Sequence, residues 1–60
     1  MLAIGIRYEH DGFCSSRVTN LTDRKEISAF LRKEFGVEFD EILLVQDDQV
    51  IDHWRLEGGE

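Results

Sequence analysis

The chain has 60 residues, of which 13 are acidic and seven are basic, so its formal net charge at pH 7 is −6. This length excludes a doubly wound nucleotide-binding fold and a conventional multi-layer enzyme, because both need a much larger core. A hydrophobic fraction of 42%, an aromatic fraction of 10% and the lack of proline are typical of a globular chain, so residues 1–60 are predicted to form a single domain.

Leu2–Tyr8 alternates apolar and other residues with the period of two that is typical of a β-strand. A second strand is predicted over Cys14–Asn20, after a turn that ends on Gly12. A two-residue loop would place apolar side chains opposite polar ones. A three-residue loop with Gly12 in the left-handed region places Ile4 opposite Val18 and keeps apolar residues on one face, so this register is predicted.

A helix over residues 23–35 is predicted next. Asp23 and Glu26 have the spacing of a reciprocal cap, although Thr22 would serve equally well as the cap residue. Gly36 lies where a glycine usually ends a helix. The apolar side chains share one stripe and are Ile27, Phe30, Leu31 and Phe35.

The remaining segment predicts a second hairpin, with strands over Glu41–Gln46 and Val50–Leu56 and a turn over residues 47–49. The run Ile42–Val45 is apolar on both faces, as in a central strand that is covered on both sides. A single helix covers only one face of a sheet. The other face would expose residues such as Leu43, Val45 and Ile51, which predicts a partner or a homodimer through this face or an edge.

These elements together predict an α+β fold: one β-β-α-β-β domain with a four-stranded antiparallel sheet in the order 2-1-3-4 and one helix packed on one face. A domain of this size gains little more from apolar burial than it loses in conformational entropy, which also favours association with a second chain.

The sequence contains no strong catalytic or metal-binding pattern. The plausible metal ligands match no known spacing of a zinc site; they are His10, Cys14, Asp52 and His53. Asp47 and Asp48, with Asp52 nearby, are more typical of turn formers than of a magnesium site. Without a nucleophile–base pair or a phosphate-binding loop, we expect neither enzymatic activity nor a cofactor nor a bound metal.

A single cysteine, Cys14, cannot form an internal disulfide, which is typical of proteins in a reducing compartment. The apolar stretch at the N-terminus is too short for a signal peptide, and no apolar run approaches the roughly 18 residues of a membrane span. The sequence therefore predicts a cytoplasmic protein, in the host cytoplasm if a phage encodes it, with no membrane partner.

The acidic residues are concentrated after residue 37, where residues 38–60 carry eight acidic side chains and one basic side chain. Solubility alone explains many such surfaces, but segregated charge also indicates docking on a partner with a basic surface. Trp54 could anchor such an interface or belong to the core. The predicted partner-binding residues are Glu38, Asp40, Glu41, Asp47, Asp48, Asp52 and Trp54.

The expected function is that of a small acidic, non-enzymatic protein-binding module. By analogy of size and charge alone, it would inhibit a nucleic-acid-handling complex as a DNA mimic does, in the manner of phage anti-CRISPR proteins. One alternative is a dimeric nucleic-acid-binding regulator, although direct contact with nucleic acid is not expected for so acidic a chain. It would use a basic helix face that Glu26 and Glu34 interrupt; this face carries Arg24, Lys25, Ser28, Arg32 and Lys33. A structural accessory subunit is the other alternative.

Overall fold

The computed structural model describes residues 1–56, which form four strands and one helix. The elements are β1 (Leu2–Tyr8), β2 (Cys14–Asn20), α1 (Arg24–Glu34), β3 (Glu41–Gln46) and β4 (Gln49–Arg55). All strand pairs are antiparallel, and the spatial order is β2-β1-β3-β4, with α1 packed on one face. The predicted fold class is confirmed.

The first hairpin has the predicted three-residue loop. The backbone N–H of Glu9 donates to the carbonyl of Phe13 at 2.8 Å, and Gly12 has a φ of 91°. Because glycine adopts this left-handed conformation without a steric penalty, the loop closes in the register that places Ile4 opposite Val18. The predicted register is confirmed.

The two ends of α1 follow from local side-chain chemistry. Asp23 is the N-cap, because its carboxylate accepts the backbone N–H of Glu26 at 2.9 Å. The Glu26 carboxylate in turn accepts both the hydroxyl and the backbone N–H of Thr22, and these hydrogen bonds hold the pKa of Glu26 below its usual value. At the other end, Gly36 has a φ of 81° and ends the helix as predicted.

The core lies between α1 and the sheet, and its buried residues are Ala3, Leu21, Phe39, Ile42 and Leu44. The predicted helix stripe does pack against this core, but its side chains are only partly buried. The ring of Phe39, from the segment after α1, stacks on Phe30 with centroids 6.3 Å apart. A Cβ atom at Gly5 would lie within 2.6 Å of three Phe39 ring atoms. The absence of a side chain at this position therefore allows the ring to pack directly on β1.

The second hairpin differs from the prediction by one residue. Its turn contains only Asp47 and Asp48, with φ values of 54° and 64°, and β4 begins at Gln49. Two consecutive left-handed residues make the tight turn that best matches the twist of a β-hairpin. Adjacent carboxylates in a left-handed turn are uncommon, because asparagine and glycine adopt it at lower cost.

A register shift in β4 changes which side chains share a face. Val45 pairs with Val50 whereas Leu44 pairs with Asp52, so Ile51 is an extra residue opposite the β3 strand. Trp54 pairs with the buried Ile42 and therefore lies on the helix side of the sheet. Strict alternation along β4 would place Val50 and Trp54 on the same face, but the extra residue inverts the alternation and they lie on opposite faces.

Candidate interaction surface

The sheet presents an uncovered apolar face on the side opposite α1. Ala3, Ile42 and Leu44 are buried under the helix, so their sequence neighbours in β1 and β3 point the other way. No described residue packs over this second side, which we call the open face. Its aliphatic side chains, which we call the apolar patch, are Leu2, Ile4, Ile6, Val18, Leu43, Val45 and Val50.

Strand pairing makes the apolar patch continuous across all four strands. Ile4 of β1 pairs with Val18 on one side and with Leu43 on the other. One row along, Val45 of β3 pairs with Leu2 of β1 on one side and with Val50 of β4 on the other. Val18 is 57% exposed and Val50 is 58% exposed, so the two outer strands leave the margins of the patch the most accessible.

A polar cluster occupies one end of the open face. The Tyr8 hydroxyl donates to one carboxylate oxygen of Glu41, and the Nε2 atom of His53 contacts the other oxygen. These three residues, which we call the Glu41 cluster, lie on β1, β3 and β4 and so join three strands. Arg55 pairs with Glu41 across the ladder.

Hydrogen bonding within the Glu41 cluster favours the ionised carboxylate. The hydroxyl of Tyr8, and then the contact with His53, hold the pKa of Glu41 below its usual value. The same hydrogen bond, with Glu41 as acceptor, raises the pKa of Tyr8. The Glu41 side chain is only 12% exposed, so this carboxylate is an internal acceptor that ties the strands together.

The predicted acidic residues lie at two ends of the second hairpin. Asp47 and Asp48 form the turn at one end. At the other end, Glu38 is 3.8 Å from Arg7, and Asp40 accepts the backbone N–H of Tyr8 at 2.9 Å. The six residues of β3 hold these two groups about 20 Å apart.

Asp52 and Trp54 lie on the helix side of the sheet. Asp52 accepts the backbone N–H of His53 at 2.9 Å, and Trp54 is half-buried against the core. Both line a shallow groove of about 550 Å³ between α1 and β4, as does Ile51, which was expected on the uncovered face. The predicted residues are therefore divided between the two ends and the two faces of the second hairpin.

Two acidic residues of the C-terminal third, Glu57 and Glu60, lie outside the described residues.

The outer surface of α1 is more uniformly basic than the sequence suggested. Glu26 is turned back to cap the helix, and Glu34 reaches across to Arg17, 3.0 Å away, where its side chain is 13% exposed. Neither acid therefore interrupts the basic surface. That surface consists of Arg24, Lys25, Arg32 and Lys33.

The candidate metal ligands do not converge within the described part of the chain. His10 lies in the first turn and Cys14 at the start of β2, whereas Asp52 and His53 belong to β4. Residues 1–56 contain no group of three or more histidine, cysteine or acidic side chains placed to hold a metal ion. The one described helix is too short and too polar to cross a membrane.

The apolar pattern of β3 predicts part of the open face, through Leu43 and Val45, but not the contribution of β1 and β2. The available signal was the small size of Ala3 and Gly5 on the alternate side of β1. Small residues on one side of a strand indicate that a bulky group approaches from that side, which leaves the larger side chains for the other.

Comparison with protein-family models, with curated proteins and with solved structures finds no match for this chain.

Proposed function

We propose that this chain is a non-enzymatic protein-binding module whose working surface is the apolar patch on the open face. The observation that carries the proposal is the continuity of this patch across four strands with no described residue above it. Contiguous exposed apolar surfaces with polar margins are characteristic of interaction sites. An isolated chain gains nothing from keeping such a surface in contact with water.

The shape of the open face favours a protein over a small molecule as the ligand. A twisted sheet surface offers little of the concavity that small-molecule sites need. The Glu41 cluster at one end supplies polar groups beside the aliphatic side chains, with Tyr8 50% exposed. An apolar centre with aromatic and polar groups at its margin is the usual composition of a protein–protein interface.

The charge distribution favours a partner that also carries a basic surface. The turn formed by Asp47 and Asp48 makes no ion pair within the described residues, and the net charge of −6 attracts a basic partner at long range. A protein that binds nucleic acid carries a basic surface of this kind. Inhibition of a nucleic-acid-handling complex, by occupying that surface with carboxylates, is the finer form of the proposal.

The test compares two double variants that add the same charges at different places. Val18→Lys with Val50→Lys puts two cations on the open face, whereas Phe13→Lys with Val37→Lys puts them at exposed apolar positions outside it. We expect cross-linked protein complexes in a host extract to disappear with the first variant and to persist with the second. Complexes that survive the open-face variant unchanged would overturn the proposal.

The acidic component has its own experiment. Asp47→Asn with Asp48→Asn removes two charges and preserves side-chain size, so association with the isolated partner should slow, as it should at raised salt. Arg24→Gln with Lys25→Gln is the matched control on the helix and should leave association unchanged. Equal association rates for wild type and the aspartate variant at low salt would remove the basic partner from the proposal.

One observation favours nucleic-acid binding as a second candidate. The Glu26 and Glu34 carboxylates are engaged elsewhere, so four cations of α1 form an uninterrupted surface. If this surface contacts phosphates, wild-type protein will bind heparin and a short DNA duplex with a steep salt dependence. The variant Arg24→Gln with Lys25→Gln will then lose that binding. Passage of wild type through heparin without retention excludes this candidate.

A further inference from the structure

We propose that the apolar patch is covered by a second copy of this chain, with the two sheets packed face to face around a twofold axis parallel to the strands. This inference rests on the proposed function, because it names a second copy as the protein that the apolar patch binds; a basic partner would then meet the acidic turn formed by Asp47 and Asp48, which lies outside the patch. The charges on the open face, its area and the position of its polar end support a second copy.

The open face itself is electrically balanced, although the chain is strongly acidic. Within the four strands described, the open face carries one carboxylate, on Glu41, and one guanidinium, on Arg55, and these two residues are cross-strand partners. The acidic turn lies beyond the strands, and Asp52 lies on the helix side. Two copies can therefore meet through this face without opposing their net charges at close range. A basic partner, by contrast, finds no net negative charge on the face to complement.

The area of the open face is sufficient for a dimer of modest affinity. Four strands spaced about 4.8 Å apart, each about 20 Å long, give a face of about 400 Å² in projection. Two such faces therefore bury about 800 Å² in projection, and side chains add accessible surface to that value. The total lies near the lower limit for a specific interface and indicates reversible, concentration-dependent association.

The two ends of the open face determine the direction of the symmetry axis. Leu2 and Val45 lie at the apolar end, and the Glu41 cluster lies at the other. A twofold axis in the plane of the interface and perpendicular to the strands would place the Glu41 carboxylate against the aliphatic end of the second copy, at a desolvation cost. An axis parallel to the strands, between β1 and β3, places apolar end on apolar end. It also agrees with the near-aligned packing usual for two sheets.

This arrangement leaves the turn formed by Asp47 and Asp48 outside the interface in both copies. Rotation about an axis parallel to the strands keeps the two turns formed by Asp47 and Asp48 at the same end of the assembly. The dimer thus presents four carboxylates at one end, with the two turns separated by about 10 Å or more because they belong to different sheets.

The first test is the oligomeric state of the full chain by sedimentation equilibrium, from micromolar to hundreds of micromolar. Wild type should change from the chain mass of 7.0 kDa to twice that value as concentration rises. Val18→Lys with Val50→Lys should weaken self-association at least tenfold. Phe13→Lys with Val37→Lys should change it less than twofold. All four positions are more than half exposed in the single chain, so neither variant should alter its fold, and circular dichroism checks this.

The second test addresses the direction of the axis. In a dimer with one isotope-labelled copy, filtered NMR contacts should join the methyl groups of Leu2 in one copy to those of Val45 in the other. Contacts from Leu2 to the Tyr8 ring of the second copy would overturn the proposed axis.

The outcomes separate this inference from the proposed function. A wild-type chain that remains monomeric at hundreds of micromolar overturns the second copy and leaves the apolar patch to a different protein. A dimer that is insensitive to the open-face lysines overturns this inference in favour of pairing through a sheet edge. The proposed function is overturned separately, by complexes in the extract that survive the same variant.

Discussion

The two faces of the sheet differ in what completes them, and adjacent residues of β3 illustrate the difference. Leu44 is buried among the helix stripe and Phe39, whereas Leu43, one residue earlier, lies on the open face and remains partly exposed. Strand β3 is equally apolar on both sides, so each of its faces is suited to packing against another apolar surface. The chain itself supplies one of them, and we propose that a second chain supplies the other.

The strands β1 and β2 contribute fewer apolar side-chain atoms to the covered face than to the open face. On β1 this face carries Ala3 and Gly5, and on β2 it carries Arg17, whose guanidinium lies 5.0 Å from the centroid of the Phe39 ring. The ring and the helix stripe provide the volume. The larger aliphatic side chains of β1 are consequently on the face that the helix does not cover.

The largest expected effect comes from truncating the buried leucine of β3, and its exposed neighbour is the control. Leu44→Ala should lower the free energy of unfolding by about 2–5 kcal/mol, because it leaves a cavity in the core. Leu43→Ala should cost about 1 kcal/mol in the dilute single chain, because less apolar surface is buried there. Urea unfolding at two protein concentrations measures both values.

The cost of Leu43→Ala should increase with protein concentration if a second copy covers the open face, whereas that of Leu44→Ala should change less. Equal costs for the two variants in dilute solution would contradict the assignment of the faces.

A smaller effect is expected from adding one carbon to the covered face. Gly5→Ala places a Cβ atom against the Phe39 ring and should destabilise the protein by about 1–3 kcal/mol. The matched combination with Phe39→Leu should cost less than the sum of the two single changes, since the smaller side chain relieves the contact. Thermal unfolding of the four proteins gives this coupling. Additive costs would show that the ring does not occupy the space above Gly5.

A change to the β3–β4 turn should stabilise the protein without altering either face. Replacing Asp47 with Asn and Asp48 with Gly supplies residues that accept the left-handed conformation, for a gain of about 0.5–1 kcal/mol. Asp47→Asn with Asp48→Asn removes the same charge but keeps a Cβ atom at position 48, so it should gain less. A thermal midpoint no higher than that of wild type for the glycine variant would contradict the turn geometry.

The smallest effect at neutral pH is expected at the polar end of the open face. The folded-state pKa of Glu41 lies below the ordinary value of 4.5, so the unfolded chain binds more protons in the acidic range. The corresponding stability is present above that value and is lost as the pH falls through the folded pKa. Glu41→Gln should therefore lose less stability than wild type between neutral pH and about pH 3.

Tyr8→Phe removes the main cause of the shift in the pKa of Glu41 and should behave in an intermediate way. The acid dependence that remains in Glu41→Gln includes Glu26, whose pKa is also lowered by its hydrogen bonds to Thr22. Identical acid profiles for wild type and both variants would show that the Glu41 cluster does not form.

The sequence by itself determined the elements of this fold and their order, because the signals involved are local. Gly12 closes the first hairpin, Asp23 and Glu26 begin the helix and Gly36 ends it, all through groups a few residues apart. The sheet order followed from placing the two most apolar strands at the centre. These features depend on backbone conformation and periodicity, which a short segment specifies without the rest of the chain.

Only the tertiary structure decided which face of β1 the helix covers and how the acidic residues are distributed. A period of two defines two faces but does not say which one is covered; here the fit of the Phe39 ring over Gly5 selects it. One extra residue at Ile51 then sends Val50 and Trp54 to opposite sides. The first depends on packing between residues far apart in the chain, and the second depends on how β4 pairs with β3. The pattern of one strand therefore predicted an uncovered face but could not identify all the side chains that form it.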